Sequence, residues 1–332
     1  MKPSLRNAVG KIALLTFLCF TLVTASYSQH LSFGKQRVVY EVGFNFGPTF
    51  FLGDLGGHQG KGTNSLKDLN VPLTKLMKGV FMTAYPTDWL GIRLAGQYTY
   101  VEGRDNIINT KGEDELWRKQ RNLNFRSDIW EAYGAFEIYP TMLFNTQEDY
   151  DPLLRPYGFI GVGIFHFNPQ GSLTDSRGKT TWYDLHPLKT EGEGMPQYPD
   201  KKPYSLTQMN IPYGGGVRVK ISPRVNTSLE LLYRKTFTDY IDDVSTTYID
   251  PNNFDANLTP KDAAIARQIS DKTVGILTPG LSRYEPGTQR GNPKNKDAYF
   301  SFAIKVGVQL GDVLDNRPDR QARRQTRCPH FF

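Results

Sequence analysis

The chain has 332 residues, with 40 lysines and arginines against 33 aspartates and glutamates, a formal net charge of +7, and 13% aromatic side chains. Three of the basic residues, Lys2, Arg6 and Lys11, stand in an acid-free leader and five arginines crowd the C-terminus, so the rest of the chain is near neutral and excludes nucleic acid as the partner. Beyond the leader Cys328 is the one cysteine left, which excludes an intrachain disulfide in the processed protein.

The leader has a basic start, an apolar run from Ile12 to Ala25 and small residues, Ser26 and Ser28, at its exit. These are the three parts of an export signal, and the run is too short to span a bilayer as a helix. Residues 1–28 are therefore expected to be a signal peptide, with the processed chain starting at Gln29. Cys19 follows Phe17 and Leu18 inside the apolar run, the wrong setting for lipidation.

Eight segments then alternate apolar and polar residues, or tolerate that alternation, as strands with one face in lipid and the other in a polar lumen must. In residues 38–47, Tyr40, Val42, Phe44 and Phe46 oppose Glu41 and Asn45. Residues 76–85 are apolar and glycine-rich on both faces and are placed by position. In residues 90–100, Leu90, Ile92, Leu94, Tyr98 and Tyr100 oppose Arg93, Gln97 and Thr99, and in 129–139, Trp130, Phe136 and Ile138 oppose Glu131 and Glu137. Residues 157–167 are again placed by position. In 213–221, Val217, Val219 and Ile221 oppose Arg218 and Lys220, and in 225–233, Leu229, Leu231 and Tyr233 oppose Ser228 and Glu230. The clearest segment is the last, 299–310, where Phe300, Phe302, Ile304, Val306, Val308 and Leu310 oppose Ser301, Lys305, Gly307 and Gln309.

Connection lengths add an independent argument. Tight turns at Pro86-Thr87-Asp88 and Ser222-Pro223-Arg224, and a moderate one over 141–154, alternate with long connections over about 48–75, 105–127, 169–209 and 238–298. Short periplasmic turns and long outside loops are the pattern of an outer-membrane barrel, in which low average hydropathy is normal because only alternate residues meet lipid. The predicted fold is all-β: an eight-stranded antiparallel transmembrane β-barrel over residues 29–311. A soluble β-sandwich would also alternate. The asymmetry of the connections weighs against it, as do Trp89, Trp130, Tyr139, Tyr157 and Tyr233 near strand ends, where interface girdles would sit. An even strand count puts both termini in the periplasm, and residues 312–332 form an Arg-rich tail there.

The inward faces carry Glu41, Glu131, Glu137 and Glu230 against Arg93, Arg218, Lys220 and Lys305. An eight-stranded barrel has room inside only for side chains, so these charges are expected to pair as a structural plug, with an ion or proton path as the alternative. In the loop TDYIDDVSTTY from Thr238, Asp239, Asp242 and Asp243 can supply hard oxygen ligands to calcium, and no other cofactor is expected; turn and capping roles are the plainer reading. The histidines have no nucleophile-elbow or zinc spacing. His166 and His186 are the one pair worth inspecting, and the protein is not expected to be an enzyme.

Several segments are more specific. Glu41-Val-Gly, Phe50-Phe-Leu-Gly-Asp-Leu55, RNLNFRSDIWE from Arg121, PYGFIGVGIFHFNP from Pro156, TEG from Thr190, TDYIDDVSTTY from Thr238 and RGNPKNKDAYF from Arg290 occur in that order over most of the processed chain. Together they resemble the PorG-like outer-membrane proteins of Bacteroidota. The resemblance implies an eight-stranded barrel of the type IX secretion and gliding machinery that links periplasmic ring components of the PorK and PorN kind to the outer membrane. It names no catalytic residue. Gly53 and Asp54 read as turn-formers, and Arg121, Asn122 and Phe125 as loop-to-strand packing. The tail residues Arg323, Arg324, Arg327 and Cys328 are the expected docking element for a partner. A small transport or ligand-binding barrel is the alternative function.

Overall fold

A computed structural model describes residues 38–55, 74–107, 113–144, 152–277, 280–281 and 283–310. The expected signal peptide and the Arg-rich tail with Arg323, Arg324, Arg327 and Cys328 lie outside the described residues. Eight strands close into an antiparallel barrel: β1 (Val39–Leu52), β2 (Lys75–Tyr85), β3 (Leu90–Arg104), β4 (Asn124–Ile138), β5 (Leu154–Thr174), β7 (Thr207–Lys220), β8 (Val225–Thr236) and β9 (Ala298–Leu310). Each pairs with its neighbour in the chain order of the barrel, and β9 returns to β1 with Tyr40 opposite Leu310. A ninth strand, β6 (Thr180–Asp184), pairs only with the far end of β5 as a hairpin above the barrel.

The residue pattern fixes which way each strand faces. The outer wall exposes large apolar side chains: Phe44 is 68% exposed, Leu94 64%, Val162 63% and Leu229 62%. The interior holds the charges, with Glu137 at 0% and Arg93 and Glu230 at 1%. An apolar belt this continuous is unfavourable in water and is the surface a lipid bilayer covers. No described helix is long and apolar enough to cross a membrane.

At one rim the turns are short and held by hydroxyls. The Thr87 Oγ1 accepts from the Leu90 amide at 3.1 Å, and the Ser222 Oγ accepts from the Val225 amide at 3.0 Å. The β4–β5 connection starts there with a helical turn, α1 (Pro140–Leu143). At the opposite rim the connections fold into a cap. It contains the helix α2 (Glu113–Arg121), which precedes α1 in the chain, and the helices α3 (Asn253–Asn257) and α4 (Pro260–Ile269). Thr259 caps α4 by accepting from the Asp262 amide, Pro260 occupies its first turn, and Ala263, Ala266 and Ile269 bury its inner face.

Every one of the eight expected strands is present, but several run further toward the cap than their alternation. β1 reaches Leu52, β3 reaches Arg104, β4 starts at Asn124 and β5 reaches Thr174. Above the apolar belt the outer face becomes polar: Arg126 Nε donates to Gln170 Oε1 at 2.9 Å, and Gln170 and Asn168 donate to Asp184 at 2.7 and 3.0 Å. With polar groups on both faces the period-two contrast disappears while the ladder continues. The expected girdle also needs correction. Trp130 does face outward, but Tyr139 and Tyr157 are 2% and 5% exposed inside the barrel, where their hydroxyls are needed. The aromatic row in the outward register is instead Phe50, Phe300, Tyr233 and Tyr213 across four adjacent strands, with Phe300 itself covered at 2% exposure.

Candidate functional site

The interior is built in two tiers of paired charge. In the tier nearer the turns, Arg93 of β3 bridges two carboxylates: its Nε donates to Glu137 Oε1 at 2.5 Å, and Nη1 and Nη2 donate to Glu230 at 3.0 and 2.6 Å. Lys305 stands between the same two acids at 3.4 and 3.5 Å. Tyr139 and Tyr157 donate to Glu137 and Glu230, each at 2.7 Å, which occupies lone pairs that the cations leave over. Beside them Arg218 pairs with Glu41, which also accepts from Asn226 Nδ2 at 2.8 Å. Gly307 leaves room for that carboxylate, since a Cβ there would lie 2.5 Å from it.

Aromatic faces complete this tier. The Arg93 guanidinium lies 4.8 Å from the Phe159 ring centre, Lys305 Nζ 4.4 Å from that of Phe81, and the Arg218 guanidinium 4.5 Å from that of Tyr85. Three carboxylates thus pair with three cations in this tier. The second tier lies nearer the cap. Glu131 accepts from Gln97, from Asn210 Nδ2 at 2.6 Å and from Arg234 Nε at 3.2 Å, while Arg234 Nη1 donates to Ser301 Oγ at 2.6 Å.

Seven of the eight lumen charges expected from sequence, Glu41, Arg93, Glu131, Glu137, Arg218, Glu230 and Lys305, are brought into these tiers. The eighth, Lys220, is half-buried and ends β7 beside the turn, on the same inward parity as Arg218. Arg234 was missed, although it continues the inward series Ser228, Glu230, Leu232, Arg234 beyond Tyr233.

The second candidate region is the cap, where Asp54, Arg121, Thr190, the TDYIDDVSTTY loop and Arg290 meet. Arg121, at the end of α2, donates from Nε and Nη2 to Asp105 at 2.8 and 3.0 Å, from Nη1 to the Arg290 carbonyl at 2.6 Å, and from Nη2 to the Asp54 carbonyl at 2.7 Å. Arg290 Nη1 donates to Glu191 Oε1 at 2.9 Å and to the Asp243 carbonyl at 2.6 Å. Glu191 in turn accepts the amides of Ser245 and Thr246 at 2.9 and 2.8 Å. Two buried arginines therefore tie four separate connections into one body. Asn122 follows Arg121 with φ of 55°, a left-handed turn into β4, and Phe125 is wholly buried beneath the cap.

The aspartates of the TDYIDDVSTTY loop are part of this cap, and the calcium expectation fails on their geometry. Asp242 spends its oxygens on the amides of Leu55 and Val244 at 3.0 and 3.1 Å. Asp243, at φ of 62°, turns away to accept from Thr190 Oγ1 at 2.5 Å and from the Tyr204 hydroxyl at 2.6 Å. Among the described residues no group of three or more acidic, histidine or cysteine side chains is placed to hold a metal ion. Asp239 and Asp242 instead belong to a buried acidic group with Asp54 and Asp297. Burial raises all four carboxyls, their mutual repulsion adds to it, and Asp239 is pushed up to about 7. Burial likewise takes Asp243 up to about 6 and, with Asp243 beside it, Glu193 up to about 8.

The two histidines worth inspecting do not form a pair. His166 lies on the outer wall of β5 with Nδ1 3.0 Å from Thr207 Oγ1, whereas His186 sits in the cap, 3.0 Å from the Tyr204 carbonyl.

No family model matches the chain, and no curated protein matches it. Among solved structures it is similar to several bacterial barrels. A major outer membrane protein of Thermus thermophilus is 10% identical with a TM-score of 0.34, over 82% of this chain and 100% of that one. OprG of Pseudomonas aeruginosa is 10% identical with a TM-score of 0.33, over 83% and 96%. Neisserial surface protein A is 10% identical with a TM-score of 0.33, over 82% and 97%. The fold assignment rests on the strand ladder of this chain itself: a closed, eight-stranded antiparallel barrel of the outer-membrane kind.

Proposed function

We propose that this chain is an integral barrel of the bacterial outer membrane and serves as a non-enzymatic anchor, holding periplasmic components of a type IX secretion assembly through its C-terminal tail. The observation that carries an anchoring role is the packing of the interior. Arg93, Lys305 and Arg218 pair with Glu137, Glu230 and Glu41, between aromatic rings packed around them. A lumen occupied in this way stiffens the barrel and leaves its two rims as the working surfaces.

At one rim the cap is tied down by Arg121 and Arg290. From the other, both ends of the described barrel leave together, since Tyr40 pairs with Leu310. A tail starting there reaches the periplasm, where the resemblance to PorG-like proteins puts ring components of the PorK and PorN kind. Arg323, Arg324, Arg327 and Cys328 supply a basic docking element for them.

The test is affinity purification of the tagged protein from outer membranes in mild detergent, with and without residues 317–332, followed by mass spectrometry of what comes with it. Type IX components should accompany the full chain and be lost with the tail. Recovery of the full-length protein alone would overturn the reading.

A further inference from the structure

The outer wall carries one feature that packing does not require. A groove of about 750 Å³ crosses β2, β3, β4 and β5 on the lipid-facing side. Its floor is the ladder row Val80, Gly96, Ala132 and Ile164, one residue on each of four neighbouring strands. The next row toward the cap is Lys78, Tyr98, Trp130 and His166. The rings of Tyr98 and Trp130 lie 4.7 Å apart and form the upper wall of the groove, over the two small residues.

Gly96 is not a glycine of necessity. A Cβ there would meet nothing within 4 Å, whereas one at Gly43, Gly161 or Gly214 would collide with a neighbouring strand's backbone at 2.0, 2.1 or 1.9 Å. Its φ is not in the left-handed region either. The hollow is thus a property of the surface, made by leaving the middle of the floor with no side chain at Gly96 and only a methyl at Ala132.

The chemistry of the rim is cationic and aromatic. Lys78 is an exposed ammonium on an otherwise apolar wall, 5.4 Å from the Tyr98 ring, and His166 closes the far end of the row. Just above, Tyr98 donates to Asp128 at 2.6 Å, and the wall becomes polar. The groove therefore lies at the cap-side edge of the apolar belt, where headgroups meet chains, and its size suits one small amphiphile.

We infer that this groove is a binding site for an anionic phospholipid, with an acyl chain laid over Gly96 and Ala132 beneath Trp130 and the headgroup phosphate against Lys78 and His166. The inference rests on the membrane placement proposed above. A second copy of the chain fits less well, because a symmetric contact would bring Lys78 against Lys78 in a medium of low dielectric.

The test uses the full chain in phosphatidylcholine vesicles containing a fixed fraction of brominated lipid, either phosphatidylglycerol or phosphatidylcholine. Quenching of Trp130 is read as the difference between the protein and Trp130→Phe. Brominated phosphatidylglycerol should associate about fivefold more strongly than brominated phosphatidylcholine, the ratio expected for one lysine at a charged lipid surface. Lys78→Gln should bring the ratio to about one, and Gly96→Leu, whose Cβ meets nothing within 4 Å and whose side chain occupies the floor, should lower quenching by both lipids. Equal quenching by the two lipids would overturn the site while leaving membrane insertion intact. No quenching of Trp130 by either lipid, in protein that floats with the vesicles, would overturn it in favour of a protein covering the groove. Protein that does not float at all would overturn the membrane placement itself.

Discussion

Glu230 shows what each lumen side chain does. It accepts two bonds from Arg93 and one from Tyr157 and stands 3.5 Å from Lys305, at 1% exposure. Taking a charge out of water is costly, and here the cost is offset only because every charge has its opposite beside it. Glu230→Ala leaves Arg93 and Lys305 sharing one carboxylate, Glu137. It should lower the stability of the refolded barrel by about 3–5 kcal/mol, read by urea unfolding in lipid. Glu230→Gln should lose less, because it keeps the shape and part of the hydrogen bonding. If Glu230→Ala unfolds at the same urea concentration as the unaltered protein, the paired-charge account of the interior is wrong.

The cap is an element with a pH dependence of its own. Asp54, Asp239, Asp242 and Asp297 are raised by burial and by one another, with Arg121 beside Asp54 and Lys296 beside Asp239 opposing the shift. A carboxyl raised in the folded state contributes its full stability where both states are protonated, below about pH 4. That contribution is lost as the pH rises through the folded-state values, which for Asp239 is about 7. The amides of Ile241 and Val244, which bond to Asp297 and Asp242, should therefore be less protected at pH 8 than at pH 5. Hydrogen exchange corrected for the intrinsic pH effect measures this, with the strand amides of β3 and β4 as the internal reference. Equal protection at the two pH values would show that these four acids are not what sets the cap's stability.

At the scale of the whole molecule, the filled lumen and the cap act in series. A solute would have to pass Arg121 and Arg290, then the Glu131–Arg234 pair, then the charge tier around Arg93. Planar-bilayer recordings of the purified barrel should show no stable open level at neutral pH. A reproducible unitary conductance would mean that the tiers open, and would favour a transport role over an anchoring one.

Much of this was legible in the residue order. Alternation determined six of the eight strands and their faces, because a wall between lipid and a polar interior must change character at every residue, and position between the others with connection length supplied the remaining two and the closed barrel. Alternation also identified the charges that point inward, and the extension of that series to Arg234 was within reach. It could not place Tyr139 and Tyr157, because an aromatic ring at a strand end serves equally in a girdle or in a plug. Connections this long can pack together as a cap, but the contacts that hold it were beyond the sequence. Arg290 meets Glu191 across 99 positions and Arg121 meets Asp54 across 67, and the loop aspartates that looked like metal ligands were drawn apart by amides and hydroxyls from other connections. Local spacing carries no information about such contacts, which exist only once the strands have brought the loops together over one mouth.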